Sequence, residues 1–163
     1  MIALYIGGVK SGKSRHAEAK ALTLSPRPLY LATSEIIDAE MKERVDKHKK
    51  QRSENFELLE EPLKLAEVLA KQEGVVLVEC LSMWINNMLY YKKSQEEILA
   101  EVQSVLESSA SRVFVLNDVG SGIIPLDALS RLFVDLSGII AQMIAAKADE
   151  VYHCIAGIAT RIK

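Results

Sequence analysis

The most specific chemistry in the chain lies in Gly7-Gly8-Val9-Lys10-Ser11-Gly12-Lys13-Ser14. Gly7, Gly12, Lys13 and Ser14 satisfy G-x-x-x-x-G-K-[ST], with an apolar run before them and a helical period after them. Glycines let the backbone curl until successive N–H groups converge on phosphate oxygens, and the next helix directs its positive end there. Lys13 would neutralise the outer phosphates, and the Ser14 hydroxyl would ligate Mg²⁺. The expected ligand is a nucleoside triphosphate.

A phosphate cradle of this kind needs an acid to hold its metal, usually at the end of another strand. Two candidates exist. Glu79 closes Val-Val-Leu-Val-Glu, and Asp118 follows Val-Phe-Val-Leu-Asn. Either could instead cap its own turn. Glu79 is favoured because its strand is the more uniformly apolar, which suits a central position.

A third candidate group is a histidine with cations around it. From Glu35 to Phe56 the sequence is dense in charge, yet Ile37, Met41 and Val45 form an apolar stripe of helical period. Continuing that stripe by three and four residues reaches His48 and then Arg52, with Lys49 and Lys50 alongside. The segment reads either as a solvated helix with basic residues suited to its C-terminal dipole, or as a helix presenting a nucleophilic imidazole to phosphate. His16, at the start of the first helix, and His153, in the last strand, lack such company.

The elements that must position these groups alternate. Strands are expected at Met1 to Ile6, Leu29 to Ala32, Val75 to Glu79, Val113 to Asn117 and Val151 to Ala156. A helix is expected from about Lys13 to Leu24, and Ser94 with Glu97 makes a capping box for one running to about Ser109. Pro62 and Pro125 suit the first turns of the helices that follow them. Strands that are apolar on consecutive positions belong inside a parallel sheet covered by helices. The fold class is therefore α/β: a P-loop (RecA-like), doubly wound, mainly parallel sheet with helices on both faces, ligands binding at its carboxyl edge.

Length and composition agree. The 163 residues suit one domain, 1–163, and 49% hydrophobic with 26% charged residues exclude a disordered or fibrous chain. Twenty basic against 22 acidic residues leave a net charge of −2, which argues against nucleic acid or anionic membrane as a partner. No apolar run approaches the roughly 18 residues of a membrane helix. Cys80 and Cys154 lack metal-ligand spacing and read as buried free thiols, the usage of a reducing, cytoplasmic compartment.

Taken together, GGVKSGKSRHAE, LYLATSE, ERVDKHKKQR, VECLSMWINNML, NDVGSGIIP and the terminal AGIATRIK resemble one family from end to end. The sequence is similar to the adenosylcobinamide kinase/adenosylcobinamide-phosphate guanylyltransferases of cobalamin biosynthesis. That resemblance implies two reactions. A hydroxyl on the aminopropanol arm of the corrinoid takes the γ-phosphoryl group of ATP or GTP. A histidine then attacks the α-phosphorus of GTP, and the guanylyl group passes to the new phosphate, giving adenosyl-GDP-cobinamide. By matching position His48 is the guanylylated residue, and Thr33, Ser34, Glu35, Lys49, Lys50, Gln51, Arg52, Glu60 and Glu79 contact nucleotide. The resemblance also implies a homotrimer.

The sequence departs from the family pattern in places. Asp118 stands where the family usually has Glu, and Gly138-Ile139-Ile140-Ala141-Gln142 stands where it usually reads Gly-Arg-x-Asn-Gln. The loss of that Arg and Asn bears on substrate contacts, the subunit interface or one of the two activities. The nucleotide half is intact, so the kinase step and corrinoid recognition are the expectations it touches most. Two other readings fit less well. A P-loop kinase of another pathway often closes an Arg-rich lid, whereas the seven arginines here are scattered. A GTP-dependent switch usually carries Asn-Lys-x-Asp, and Asn117-Asp118-Val119-Gly120 lacks the lysine.

Overall fold

The computed structural model describes residues 1–34 and 54–163. The expected helix between Glu35 and Phe56, with its apolar stripe and His48, lies almost wholly outside the described residues.

The elements run β1 (Ile2–Gly7), α1 (Lys13–Leu24), β2 (Leu29–Ala32), β3 (Glu57–Glu60), α2 (Leu65–Ala70), β4 (Val76–Glu79), α3 (Leu81–Tyr90), α4 (Gln95–Leu106), β5 (Arg112–Asn117), α5 (Ala128–Lys147), β6 (Glu150–Ile155) and β7 (Ile158–Arg161). The seven strands form one sheet in the order β3-β2-β4-β5-β1-β6-β7. Every pairing is parallel except β6 with β7. The five strands expected from the sequence are all present, each shifted by at most a residue or so at its ends.

Alternation along the strands divides the core between the two faces. Ala3, Tyr5, Leu77, Val113, Val115 and Cys154 pack with Ala17 and Ala21 of α1. Leu4, Val76, Val78, Phe114, Leu116 and Val151 pack on the other face with Trp84, Ile85, Ile98, Leu136, Ile140 and Ile144 of α3, α4 and α5. Each fully buried Leu, Ile or Phe contributes about 1.5–3 kcal/mol of transfer free energy, so both faces hold the helices firmly. Helices therefore cover both faces, as expected for strands that are apolar on consecutive positions.

Among the described residues α5 alone is long and apolar enough, by length and composition, to cross a membrane. Its Leu136, Ile140 and Ile144 are buried in the core of this sheet.

Three local expectations need adjusting. The capping box is formed, with Ser94 Oγ accepting from Glu97 N at 3.2 Å and Glu97 Oε2 accepting from Ser94 N at 2.8 Å, but the helix ends at Leu106. Pro125 lies two residues before the true N-cap of α5, Asp127, whose carboxylate accepts from Ser130 N at 2.7 Å. Pro62 likewise precedes the N-cap of α2, Lys64. In both places the proline turns the chain toward the helix without entering it.

Candidate functional site

β1 ends at Gly7, and Gly8 to Gly12 form the loop that leads into α1. Gly7 pairs with Asn117 on one side and Cys154 on the other. A Cβ there would overlap the Cys154 carbonyl and stand 2.7 Å from Ser11 Oγ, so any side chain at this position forces the paired backbone to move. Gly12 has φ 92°, a left-handed backbone that glycine adopts without strain. Ser11 N donates to Gly8 O at 3.2 Å, closing the turn. Lys13 is buried, and its Nζ donates to Gly8 O at 3.1 Å, which folds the ammonium back over the loop. Val9 and Lys10 stand exposed at the apex.

Ser14 Oγ donates to Glu79 Oε1 at 2.7 Å. This contact brings the first turn of α1 to the carboxyl end of β4, two strands away from β1. Of the two acids considered, Glu79 is the one that reaches Ser14. The reason differs from the one expected, since β5, the strand leading to Asp118, is the middle strand of seven. What matters is that Glu79 projects from the α1 face. Asp118 caps its own turn instead. Its Oδ1 accepts from Gly120 N at 3.3 Å and its Oδ2 from Ser121 Oγ at 2.6 Å, with His153 Nε2 4.0 Å away.

A hydroxyl and a carboxylate are hard oxygen donors, and few protein ligands suit Mg²⁺, which keeps several waters and binds nucleotide phosphates. The pair Ser14 and Glu79 fits that ion. Among the described residues no cluster of three or more His, Cys, Asp or Glu could hold a metal by protein ligands alone.

The remaining expected nucleotide contacts divide. Thr33 is fully buried, and its hydroxyl is engaged by the Cys80 backbone. Ser34 follows it, half-buried, at the carboxyl end of β2. Glu60 ends β3 and is exposed, paired across from Ala32, whose other neighbour is Glu79. Glu35, His48, Lys49, Lys50, Gln51 and Arg52 lie outside the described residues. Ile139 and Ala141 sit half-buried on α5, where Ala141 packs against the core.

Sequence reasoning missed four residues that shape this site. Gly157, in the β6–β7 turn, donates its N–H to Ser11 O at 2.9 Å. Its carbonyl accepts from Arg15 Nη2 at 3.0 Å and lies 2.8 Å from His16 Nε2. The turn thus clamps the phosphate loop from outside. Ala156 and Gly157 both have positive φ, as a two-residue hairpin turn requires, and the alternation of Ile158, Thr160 and Ile162 beyond Gly157 was the available signal. Ser82 Oγ accepts from Asn117 N at 2.8 Å, and Asn87 is buried among Trp84, Ile85 and Met88. A polar residue inside an apolar helical stripe was the signal there. The two cysteines are buried, and burial pushes both thiols above their ordinary range, which keeps them unreactive.

Known proteins bear on this arrangement in two ways. By fold, the chain is similar to the flagellar accessory protein FlaH from Methanocaldococcus jannaschii, with TM-score 0.53 and 12% identity, over 99% of this chain and 77% of that one. It is also similar to a solved ATPase domain, with TM-score 0.50 and 13% identity, over 93% and 68%. The fold is accordingly that of RecA-like P-loop proteins. By sequence, the bifunctional adenosylcobalamin biosynthesis protein CobU of Escherichia coli is 37% identical over all of both chains. CobP of Pseudomonas aeruginosa, which carries the same bifunctional description, is 36% identical over 98% of this chain and 96% of the relative. The profile described as "Cobinamide kinase / cobinamide phosphate guanyltransferase" matches residues 3–162. With a full-length match of this kind around an assembled phosphate loop, the chain belongs to the cobinamide kinase / cobinamide phosphate guanyltransferase family.

Proposed function

We infer that one phosphate loop serves both reactions of the family, phosphorylation of adenosylcobinamide and guanylyl transfer to the resulting phosphate. The observation that carries this reading is the 2.7 Å contact of Ser14 with Glu79 at the mouth of a loop lined by Gly7 to Lys13. In the kinase step the corrinoid hydroxyl oxygen bonds to the γ-phosphorus of ATP or GTP, the nucleoside diphosphate leaves, and the hydroxyl proton is lost. In the second step a nitrogen of His48 bonds to the α-phosphorus of GTP, and the bond to the β-phosphate breaks, releasing pyrophosphate. An oxygen of cobinamide phosphate then attacks the phosphoramidate and frees the imidazole.

The residues divide this work. Backbone N–H groups from Gly8 to Ser14 hold the β- and γ-phosphates, which become the leaving pyrophosphate of the second step. Lys13 and the cations Lys49, Lys50 and Arg52 stabilise charge that develops on them. Ser34, Glu35, Gln51 and Glu60 contact the nucleotide. Ser14 and Glu79 hold Mg²⁺, which when bound supplies further charge neutralisation at the phosphates. An imidazole suits the nucleophile because it is largely neutral at pH 7, and its phosphoramidate passes the group on readily.

The reading extends to a single functional domain over 1–163, working in the cytoplasm as a homotrimer. Support for subunit contact comes from the segment after β5, where Ile123, Ile124, Leu126 and Leu129 are all exposed.

GTP labelled at the α-phosphorus tests the covalent step. The expected result is a labelled protein band on denaturing electrophoresis, acid-labile and alkali-stable, with no band from γ-labelled GTP. Label that persists in His48→Ala refutes the assignment.

A further inference from the structure

We propose that Thr33 and Asn87 are positioning residues for Glu79, acting through the protein backbone and not through contact with nucleotide. The proposal rests on the reading of Ser14 and Glu79 as the protein ligands of Mg²⁺, and deepens it.

Glu79 is the last residue of β4, and its two sides are held differently. On the β2 side it pairs with Ala32. On the β5 side the ladder stops one residue earlier, at Val78 with Phe114. A strand end laddered on one side only can shift, and a carboxylate that must stay within 2.7 Å of Ser14 Oγ tolerates little movement.

Thr33 restrains that shift. Its N–H donates to Glu79 O at 3.0 Å. Its Oγ1 donates to Cys80 O at 2.7 Å and accepts from Cys80 N at 3.0 Å. Three hydrogen bonds from one residue therefore grip the backbone of Glu79 and of the residue after it. Thr33 is 0% exposed, so its hydroxyl has no path to a ligand.

Asn87 fixes Thr33 in turn. Its Nδ2 donates to Thr33 O at 2.7 Å and to Pro62 O at 3.1 Å, and the residue is 2% exposed. One buried carboxamide thus joins the chain just past β2 to the turn just past β3, while α3, which carries it, begins two residues after Glu79. Trp84 Nε1 adds a bond to Leu63 O at 2.8 Å from the same helix. Buried donors and acceptors satisfied this fully make a rigid unit. That unit holds the Glu79 and Cys80 backbone from which the Glu79 carboxylate projects.

The test measures metal, not turnover. A fluorescent, non-hydrolysable GTP analogue is bound to wild type, Thr33→Val, Thr33→Ser, Asn87→Ser and Glu79→Gln, first in EDTA and then across a Mg²⁺ titration. Mn²⁺ binding to the same complexes is followed by electron paramagnetic resonance, and thermal unfolding is recorded. Thr33→Val removes both hydroxyl hydrogen bonds to Cys80. It should leave binding in EDTA unchanged and raise the Mg²⁺ and Mn²⁺ needed for half-saturation by about five- to tenfold, a part of the cost of those two bonds. Thr33→Ser keeps the hydroxyl and should restore the wild-type metal requirement. If Thr33→Val does not fold, Asn87→Ser carries the same test, since it leaves both Cys80 hydrogen bonds intact.

A Thr33→Val protein that loses binding equally with and without metal overturns the proposal in favour of a direct nucleotide contact. One that melts earlier with an unchanged metal requirement overturns it in favour of plain structural support. An unchanged metal requirement in Glu79→Gln refutes the metal reading and the proposal with it. A shift in Glu79→Gln alone refutes only the positioning.

Discussion

Gly7 and Gly8 stand side by side in the phosphate loop, and the structure separates them sharply. An added Cβ at Gly7 would overlap the Cys154 carbonyl, lie 3.2 Å from the Cys154 carbonyl carbon and stand 2.7 Å from Ser11 Oγ. The serine hydroxyl can rotate away, but the carbonyl belongs to a strand paired to β1 through Gly7 and Cys154. Relief therefore requires moving backbone. Forcing a methyl group into such packing costs about 1–3 kcal/mol. The smaller conformational freedom of an unfolded chain with Ala in place of Gly offsets about 0.4–1 kcal/mol. Gly7→Ala should accordingly lose about 1–2 kcal/mol, or about 2–8 °C in Tm at this chain length. At Gly8 nothing lies within 4 Å and φ is not left-handed, so Gly8→Ala should keep the wild-type Tm or raise it slightly. Thermal unfolding of both variants without nucleotide is the assay, followed by nucleotide binding, which should weaken in Gly7→Ala because the loop has shifted. Equal Tm values for the two variants, or a lower one for Gly8→Ala, would refute the steric reasoning.

Three further expectations follow from named contacts. Lys13→Ala removes a buried ammonium aimed into the loop and should weaken triphosphate binding about 10- to 100-fold, as loss of a charged hydrogen bond does, and slow both half-reactions; calorimetric titration with GTP checks it. The Lys20 ammonium, 2.7 Å from Glu150, holds that carboxyl below the usual carboxylate range chiefly by hydrogen bonding. A depressed carboxylate stabilises the fold above its unfolded-state pKa and loses that contribution as pH falls through its folded value, so Lys20→Met should flatten this part of the acid limb in unfolding measured from pH 7 downward. Ile139→Arg with Ala141→Asn should leave guanylyl transfer from GTP to the protein unchanged while altering phosphorylation of adenosylcobinamide, which separate assays of the two half-reactions would show. A chain that phosphorylates adenosylcobinamide well yet forms no guanylyl intermediate places the departures on the other step.

Much of the site was legible because its chemistry is local. Gly7, Gly12, Lys13 and Ser14 are close neighbours in sequence, and the glycine-rich turn that carries them is closed locally by the Ser11 N–H on Gly8 O. Glu79 was legible as the favoured acid at the end of an apolar run, but the reason it rather than Asp118 meets Ser14 was not. The apolar run before each acid does not show from which side of the sheet it projects, and that side decides which one meets Ser14. Thr33 was legible as part of a motif while its task was hidden, because its partners Cys80 and Asn87 lie 47 and 54 residues away.

The strands that escaped notice, β3 and β7, are four-residue strands at the two edges of the sheet. Glu57, Leu58 and Glu60 of β3 are exposed, so no burial pattern marks that strand. Arg112 shows the same limit from the other side. Charge and type suggest a surface residue, yet it is 0% exposed, with its guanidinium on the carbonyls of Leu69, Gln72 and Gly74 near the end of α2. Burial lowers its pKa, and those carbonyls compensate the buried donors. By itself, then, the sequence determined the alternation of elements, the phosphate loop and the identity of the groups able to do chemistry, since short-range periodicity and residue type carry that information. The tertiary structure decided which acid meets Ser14, which turn clamps the loop and which buried polar groups hold both in place, because those contacts join residues whose separation along the chain leaves no local pattern to read.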